Sequence, residues 1–283
     1  MLTDLDHIVL ICPDLDQGID TYETLLGRSA DWRAVDDGIG AGTAVFTVNG
    51  TALELFAPTG PGVVGDRLNQ MLVKFGPRLT SLAYRTDDIE ETHRLFGRRG
   101  LAPGDIGEGR STDTRTGAER RWKRFRCPDD KCAGIKSFIL EYETPLPVIA
   151  QAGPASVSGI DHVVVQTPNP DRATAIYGTR KGIRLALDRT FESWKTRLMF
   201  FELGGLTIEV AHRFDPAPDP SADDSLWGIS WIVPDLAAAH ERLSDAGVEV
   251  SEMRTGRRPA TRVFTVKSGT LGVATLFIEI LSD

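Results

Sequence analysis

The chain has 283 residues, 41% of them hydrophobic and 25% charged, with a formal net charge of −8. That length can hold two domains of ordinary size. No apolar run reaches the roughly 18 residues of a membrane span, and the acidic balance opposes non-specific nucleic-acid binding.

Residues 5–12 read as a buried strand that Pro13 ends. Asp14 to Leu26 reads as a helix, with Asp14 as N-cap and Gly27 after its last turn. Three strands are expected next, at 30–35, 44–48 and 52–56, the last two joined by the hairpin signal Asn49-Gly50. Pro58 to Pro77 reads as a Gly-rich loop with a short helix near 68–73. The pattern then restarts. A strand over 79–86 is followed by a helix capped by Asp87-Asp88, running to Arg98 and closed by Gly100. Gly104 to Gly117 reads as a long polar loop, and 120–127 and 136–143 as strands. Pro145, Pro147 and Gly153-Pro154 read as a linker.

The second half repeats the plan, with a strand at 160–167, a helix at 171–182 and a hairpin of 198–203 and 206–211 over Gly204-Gly205. A Pro/Asp connector at 214–224, a strand at 226–233, a helix at 235–246 and strands at 261–266 and 274–281 complete it. Leu5-Asp-His-Ile-Val-Leu returns as Ile160-Asp-His-Val-Val-Val, and Leu53-Glu-Leu as Ile208-Glu-Val. His7 to His162 and Glu54 to Glu209 are both spaced by 155 residues. The expected fold class is α+β, four βαβββ units in two modules spanning 1–147 and 157–283.

Cys12, Cys127 and Cys132 are odd in number and widely spread. This argues against a disulfide framework and fits a reducing cytoplasm. Cys127 and Cys132 lie too far apart for a zinc knuckle, and no second pair exists. The N-terminus enters Asp4-Leu-Asp-His without a basic and apolar leader, so no signal peptide is expected.

Glu54, Glu141, Glu209 and Glu279 each sit among apolar residues on an expected strand. A buried carboxylate costs several kcal/mol unless it is paired, protonated or bound to a cation. A divalent cation, with an imidazole as a further ligand, is the simplest way to hold two of them in one pocket. The plainer reading is a hydrogen-bonded structural histidine and glutamates facing water. His93 and His240 fall on helices, and His212 should face away from Glu209.

These residues resemble the vicinal-oxygen-chelate superfamily, which includes glyoxalase I, extradiol dioxygenases and the bleomycin resistance proteins. The resemblance rests on Asp6-His-Ile-Val-Leu with Pro13-Asp-Leu-Asp16, Leu53-Glu-Leu, Leu82-Ala-Tyr-Arg-Thr-Asp-Asp88 and Phe138-Ile-Leu-Glu141. Their second-half counterparts include Trp231-Ile-Val-Pro-Asp-Leu236 and Phe277-Ile-Glu279. It covers nearly the whole chain and implies two modules, each a cleft of paired βαβββ units. It implies metal ligands His7, Glu54 and Glu141 in the first module and His162, Glu209 and Glu279 in the second. The metal would be divalent Mn, Fe, Zn or Mg. Glu141 would move the proton, and Ser81 and Arg85 would contact substrate.

Ser81 and Gly228 stand where the family often has a third ligand, and Gly228 stands where an extradiol enzyme needs its second His. Arg110, Arg115, Arg120, Arg121, Lys123, Arg124 and Arg126 could draw an anionic or oxygenated substrate to the first module, or form a solvated loop. The second module, with Trp194, Trp227 and Trp231, looks more structural or suited to an apolar ligand. The function expected is a metal-dependent lyase or isomerase acting on a small molecule, in a cytoplasmic monomer or homodimer. The alternatives are an extradiol-type dioxygenase and a metal-free binding protein.

Overall fold

A computed structural model describes residues 1–144 and 153–281. The first module runs β1 (Leu2–Ile11), α1 (Leu15–Leu26), β2 (Trp32–Asp36), β3 (Ala41–Val48), β4 (Thr51–Pro58), α2 (Val63–Phe75), β5 (Arg78–Thr86), α3 (Ile89–Arg98), β6 (Gly107–Thr112), β7 (Glu119–Cys127) and β8 (Lys136–Tyr142). The second begins with β9 (Gly159–Gln166) and α4 (Pro170–Thr174), which continues as a π-helical turn (Ala175–Arg180). It goes on with β10 (Arg184–Phe191), β11 (Thr196–Leu203), β12 (Leu206–Arg213), β13 (Ser225–Ile232), α5 (Leu236–Asp245), β14 (Arg254–Thr255), β15 (Thr261–Val266) and β16 (Ala274–Ile280).

The repeat is physical as well as sequential. A short polar side chain caps the helix of every unit: Asp14, Asp88, Asn169 and Asp235 accept from the backbone N–H of Gln17, Glu91, Arg172 and Ala238. Each module forms one eight-stranded sheet, ordered β2-β3-β4-β1-β5-β8-β7-β6 and β10-β11-β12-β9-β13-β16-β15-β14. Within each unit the first strand lies parallel to the last, and the two units meet through an antiparallel pair, β1·β5 or β9·β13. This is the expected fold class.

One apolar core joins the modules. Leu5, Ile8 and Leu10 of β1 and Tyr84 of β5 share it with Val163 and Val165 of β9 and Trp231 of β13. Across this junction Lys181 of the second module is buried, its Nζ donating to Tyr84 Oη at 3.1 Å and Ser137 Oγ at 2.8 Å.

The modules differ at their edges. In the first, β2 and β6 are tied together: Trp32 Nε1 donates to Ser111 Oγ at 2.9 Å, and Thr114 N to Arg33 O at 2.8 Å. The sheet therefore curls almost closed. In the second, β14 is two residues long and nearly all of β10 is exposed.

Several elements depart from expectation. β6 lies inside the segment read as a loop, and β10 was not foreseen. Both are edge strands without an apolar face, so no period-2 signal marks them. α2 is longer than the helix read near 68–73, because Gly62 and Gly65 form its start rather than a loop. The expected linker residues Pro145 and Pro147, and the module boundary at 147, lie outside the described residues.

Candidate active site

β1 and β4 run parallel with Val9 opposite Glu54, which sets His7 and Glu54 side by side on the concave face. His7 Nε2 lies 3.2 Å from Glu54 Oε2, and His7 Nδ1 lies 2.7 Å from Asp6 Oδ2. Asp6 is buried, and three further hydrogen bonds reach it. Arg85 Nε and Nη2 donate to Oδ1 at 3.0 and 2.8 Å, and Tyr142 Oη donates to Oδ2 at 2.9 Å.

Burial alone would raise the Asp6 pKa. His7 and Arg85 outweigh it and hold the carboxyl down at about 2. An ionised carboxylate only accepts, so His7 Nδ1 carries the proton and donates to Asp6. Burial disfavours the imidazolium as well, but the charge of Glu54 and the bond to Asp6 raise the His7 pKa. Glu54 is itself raised by burial, against the pull of His7. His7 Nε2 and Glu54 Oε2 thus face each other at 3.2 Å, with Asp6 fixing the ring from behind.

The other residues expected at a site divide. Ser81 lines the same cleft, its Oγ 3.2 Å from Thr80 Oγ1. Arg85 lines it too, but its guanidinium is occupied by Asp6 and by Gly50 O at 3.2 Å, so it positions Asp6 rather than substrate. Glu141 does not join His7 and Glu54. Phe138, Leu140 and Tyr142 line the cleft, whereas Glu141 Oε2 accepts from Ile89 N at 2.8 Å, the first residue of α3. The proton-carrier role expected of it is therefore corrected: it caps a helix.

In the second module His162 and Glu209 are together, Nε2 to Oε2 at 3.8 Å, with Asp161 Oδ2 2.7 Å from His162 Nδ1. Arg258 reaches Asp161 at 3.1 Å, as Arg85 reaches Asp6. Glu279 is held by Arg262 Nε at 2.9 Å, away from that group. His93, His212 and His240 bond to the backbone oxygens of Gly104, Thr167 and Ser251.

The donor set falls short of the roughly three or four protein ligands of a zinc-type site. Among the described residues no group of three or more His, Cys, Asp or Glu is placed to hold an ion. His7 has the carboxylate behind Nδ1 that metal-bound imidazoles share, and Glu54 is beside it. The cleft faces of β5 and β8, however, offer Ser81 and Phe138 rather than further ligands.

The cleft itself has a volume of about 1440 Å³. Its floor is the His7–Glu54 pair. One wall is β7, with Arg120, Trp122, Arg124 and Arg126 alternating inward. Arg120 stacks 4.0 Å over the Trp32 ring. α2 covers one end with Val64, Leu68 and Met71. Sequence reasoning found the arginines of β7 as a charge run but missed Trp32, Trp122, Tyr142 and α2 as walls. Asp6 stands out in the sequence only as part of a repeated phrase.

The glyoxalase-like domain family model matches residues 5–179, and the glyoxalase/bleomycin resistance protein/dioxygenase superfamily model matches residues 161–264. No curated protein matches the chain. Among solved structures, a triply substituted 4-hydroxymandelate synthase from Streptomyces coelicolor superposes with a TM-score of 0.71 at 12% identity, over 98% of this chain and 92% of that one. BphC, a halotolerant catechol dioxygenase, gives 0.64 at 13% identity over 100% and 89%. The 2,2',3-trihydroxybiphenyl 1,2-dioxygenase of Sphingomonas wittichii strain RW1 gives 0.62 at 13% over 99% and 91%. At these identities the likeness carries the fold alone.

Proposed function

Because the chain belongs to the glyoxalase-like domain family of the vicinal-oxygen-chelate superfamily, we propose that its first module is an isomerase or lyase that moves a proton on a small oxygenated molecule. The observation that carries this reading is the Asp6–His7–Glu54 relay on the floor of the cleft. Glu54 is the base. Its carboxylate faces the cavity, and burial raises its pKa, which makes it a stronger base than an exposed carboxylate. His7 shares the proton that Glu54 takes up, and Asp6 holds the imidazole in one tautomer.

Proton abstraction next to a carbonyl leaves negative charge on the substrate oxygen. Arg120 and Arg124 act on Glu54 through their charge and are positioned to stabilise that oxyanion. No step is routed through a metal, since the cleft offers two ligands. A cytoplasmic setting belongs to the same reading and is supported by three buried free thiols.

The test is solvent exchange. A panel of 2-oxo and 2-hydroxy acids incubated with the protein in D₂O should gain deuterium at the acidic carbon. The Glu54→Gln variant should not catalyse this, and EDTA should leave it unchanged. Exchange that persists in Glu54→Gln, or that EDTA abolishes, overturns the reading.

An extradiol-type reaction finds less support, because Gly228 replaces the expected second His and Glu279 is engaged by Arg262. Oxygen uptake with catechols and Fe²⁺ would revive it. Ligand binding without any product would favour the metal-free binding protein instead.

A further inference from the structure

The cleft beside Glu54 presents more hydrogen-bond donors than the protein satisfies. Arg28 Nε, Arg120 Nη2, Trp122 Nε1 and Arg126 Nε are buried on its wall without a partner. No acceptor among the described wall residues is left in that state. A buried polar group without a partner costs about 1–3 kcal/mol, so the complement of this wall is rich in acceptors. Charge agrees. Eight Arg and Lys residues line the cleft against five Asp and Glu, in a chain whose net charge is −8.

The donors are arranged along one strand. Residues two apart on β7 share a face, so Arg120 to Arg126 form a stripe roughly 20 Å long. Its residues pair in register with Tyr142, Leu140 and Phe138 of β8. Arg120 makes no ion pair among the described residues, unlike neighbouring Arg115, Arg121 and Arg126. Its guanidinium carbon lies 4.0 Å from the centre of the Trp32 ring, and its Nη2 is left without a partner, a donor suited to a planar oxyanion. At the far end the wall turns apolar, with Ile11, Phe56 and Phe138 beneath Leu68 of α2.

We propose that the cleft binds an organic acid with an apolar body, its carboxylate taken by Arg120 and Trp122 beside Glu54 and its body lying under α2. Glu54 disfavours a dianion at the same place, which selects a carboxylate over a phosphate. The proposal rests on the assignment of Glu54 as the reacting group, because the carbon that loses the proton, C3 of a 2-oxo acid or C2 of a 2-hydroxy acid, is then held next to it.

Calorimetry with 3-phenylpropionate, its neutral amide and phenyl phosphate tests this. The acid should bind at least about tenfold tighter than the amide, since a charge-assisted hydrogen bond is worth more than a neutral one. Arg120→Gln should erase that preference, and Arg120→Lys should restore part of it. Glu54→Gln should bind the acid as well as or better than the natural protein. Equal affinity for acid and amide, no binding of the acid, or tighter binding of phenyl phosphate would overturn the proposal. Acid binding without deuterium exchange in any 2-oxo acid would overturn the catalytic reading and leave this one standing. Exchange without acid preference would do the reverse.

Discussion

The two modules hold the same Asp–His–Glu arrangement in different surroundings. Asp6–His7–Glu54 and Asp161–His162–Glu209 share the 2.7 Å carboxylate–imidazole contact, and each Asp is held by an arginine. The first group sits in a cavity of about 1440 Å³, closed at the β2–β6 edge and covered by α2. Among the described residues the second has no helix in the connector at 214–224 and no hydrogen-bonded seam like that of β2 and β6; Arg257 stacks 4.0 Å over Trp194 there. The His–Glu distance also lengthens, from 3.2 to 3.8 Å. Both copies hold the polar group, while the enclosure on which the proposed base depends is found in the first alone.

The largest expected effect tests that inference directly. Glu54→Gln should lower proton exchange by roughly 10²–10⁴-fold, the range of a lost general base. Glu209→Gln should leave it unchanged. Equal losses from the two substitutions, measured as deuterium incorporation, would break the asymmetry between modules.

Acid stability comes next. Asp6 falls from its usual 3.8 to about 2 on folding. A depressed carboxyl adds stability above its unfolded pKa and loses it as pH falls through the folded value. The shift is worth about 2–3 kcal/mol, lost between roughly pH 4 and pH 2. Urea unfolding of the natural protein should show that loss, and Asp6→Asn should flatten it. Asp161 is lowered too, chiefly by His162 and Arg258 against its burial, but Ile280 stands where Tyr142 serves Asp6. Asp161→Asn should therefore flatten the acid limb less.

The lid gives a smaller, local effect. α2 starts against bare backbone, and a Cβ at Gly65 would collide with the carbonyl oxygens of Gly40 and Gly60. Gly65→Ala should displace α2 and weaken 3-phenylpropionate binding by about tenfold, or 1.4 kcal/mol, while Asp161–His162–Glu209 is untouched. Unchanged affinity would mean that the curled sheet alone encloses the ligand.

How legible this was depends on strand parity. The repeat, the helix caps and the His–Glu pairs could be read from spacing, because caps and alternation are local rules. Asp6 was hidden. Neighbours on a strand face opposite sides, so Asp6 should have pointed away from His7. The register of β1 on β5 shifts between Leu5 and His7, and a matching shift occurs between Ser230 and Trp231 opposite β9. These irregularities bring each Asp round to its imidazole, and nothing in the apolar run announces them. α2 was obscured for a related reason: Gly60-Pro-Gly62 signals a loop, yet the glycines are there to let a helix approach the backbone.

Glu141 is the sharpest case of the parity problem, and it supplies the smallest expected effect. Phe138-Ile-Leu-Glu is apolar on both faces, since Phe138 and Leu140 meet the cleft while Ile139 packs with Phe96 of α3. A strand buried on both sides carries no period-2 signal to orient its glutamate. Placed on the α3 side, the carboxylate accepts from Ile89 N, joining Asp88 in capping that helix. Glu141→Gln keeps an acceptor oxygen but removes a negative charge from a helix N-terminus, which costs about 0.3–1 kcal/mol. Thermal unfolding should register that small loss, and deuterium exchange should be unchanged. If exchange instead fell with Glu141→Gln as it does with Glu54→Gln, the proton would have to cross β8, and the assignment of the base to the His7 side of the sheet would fail.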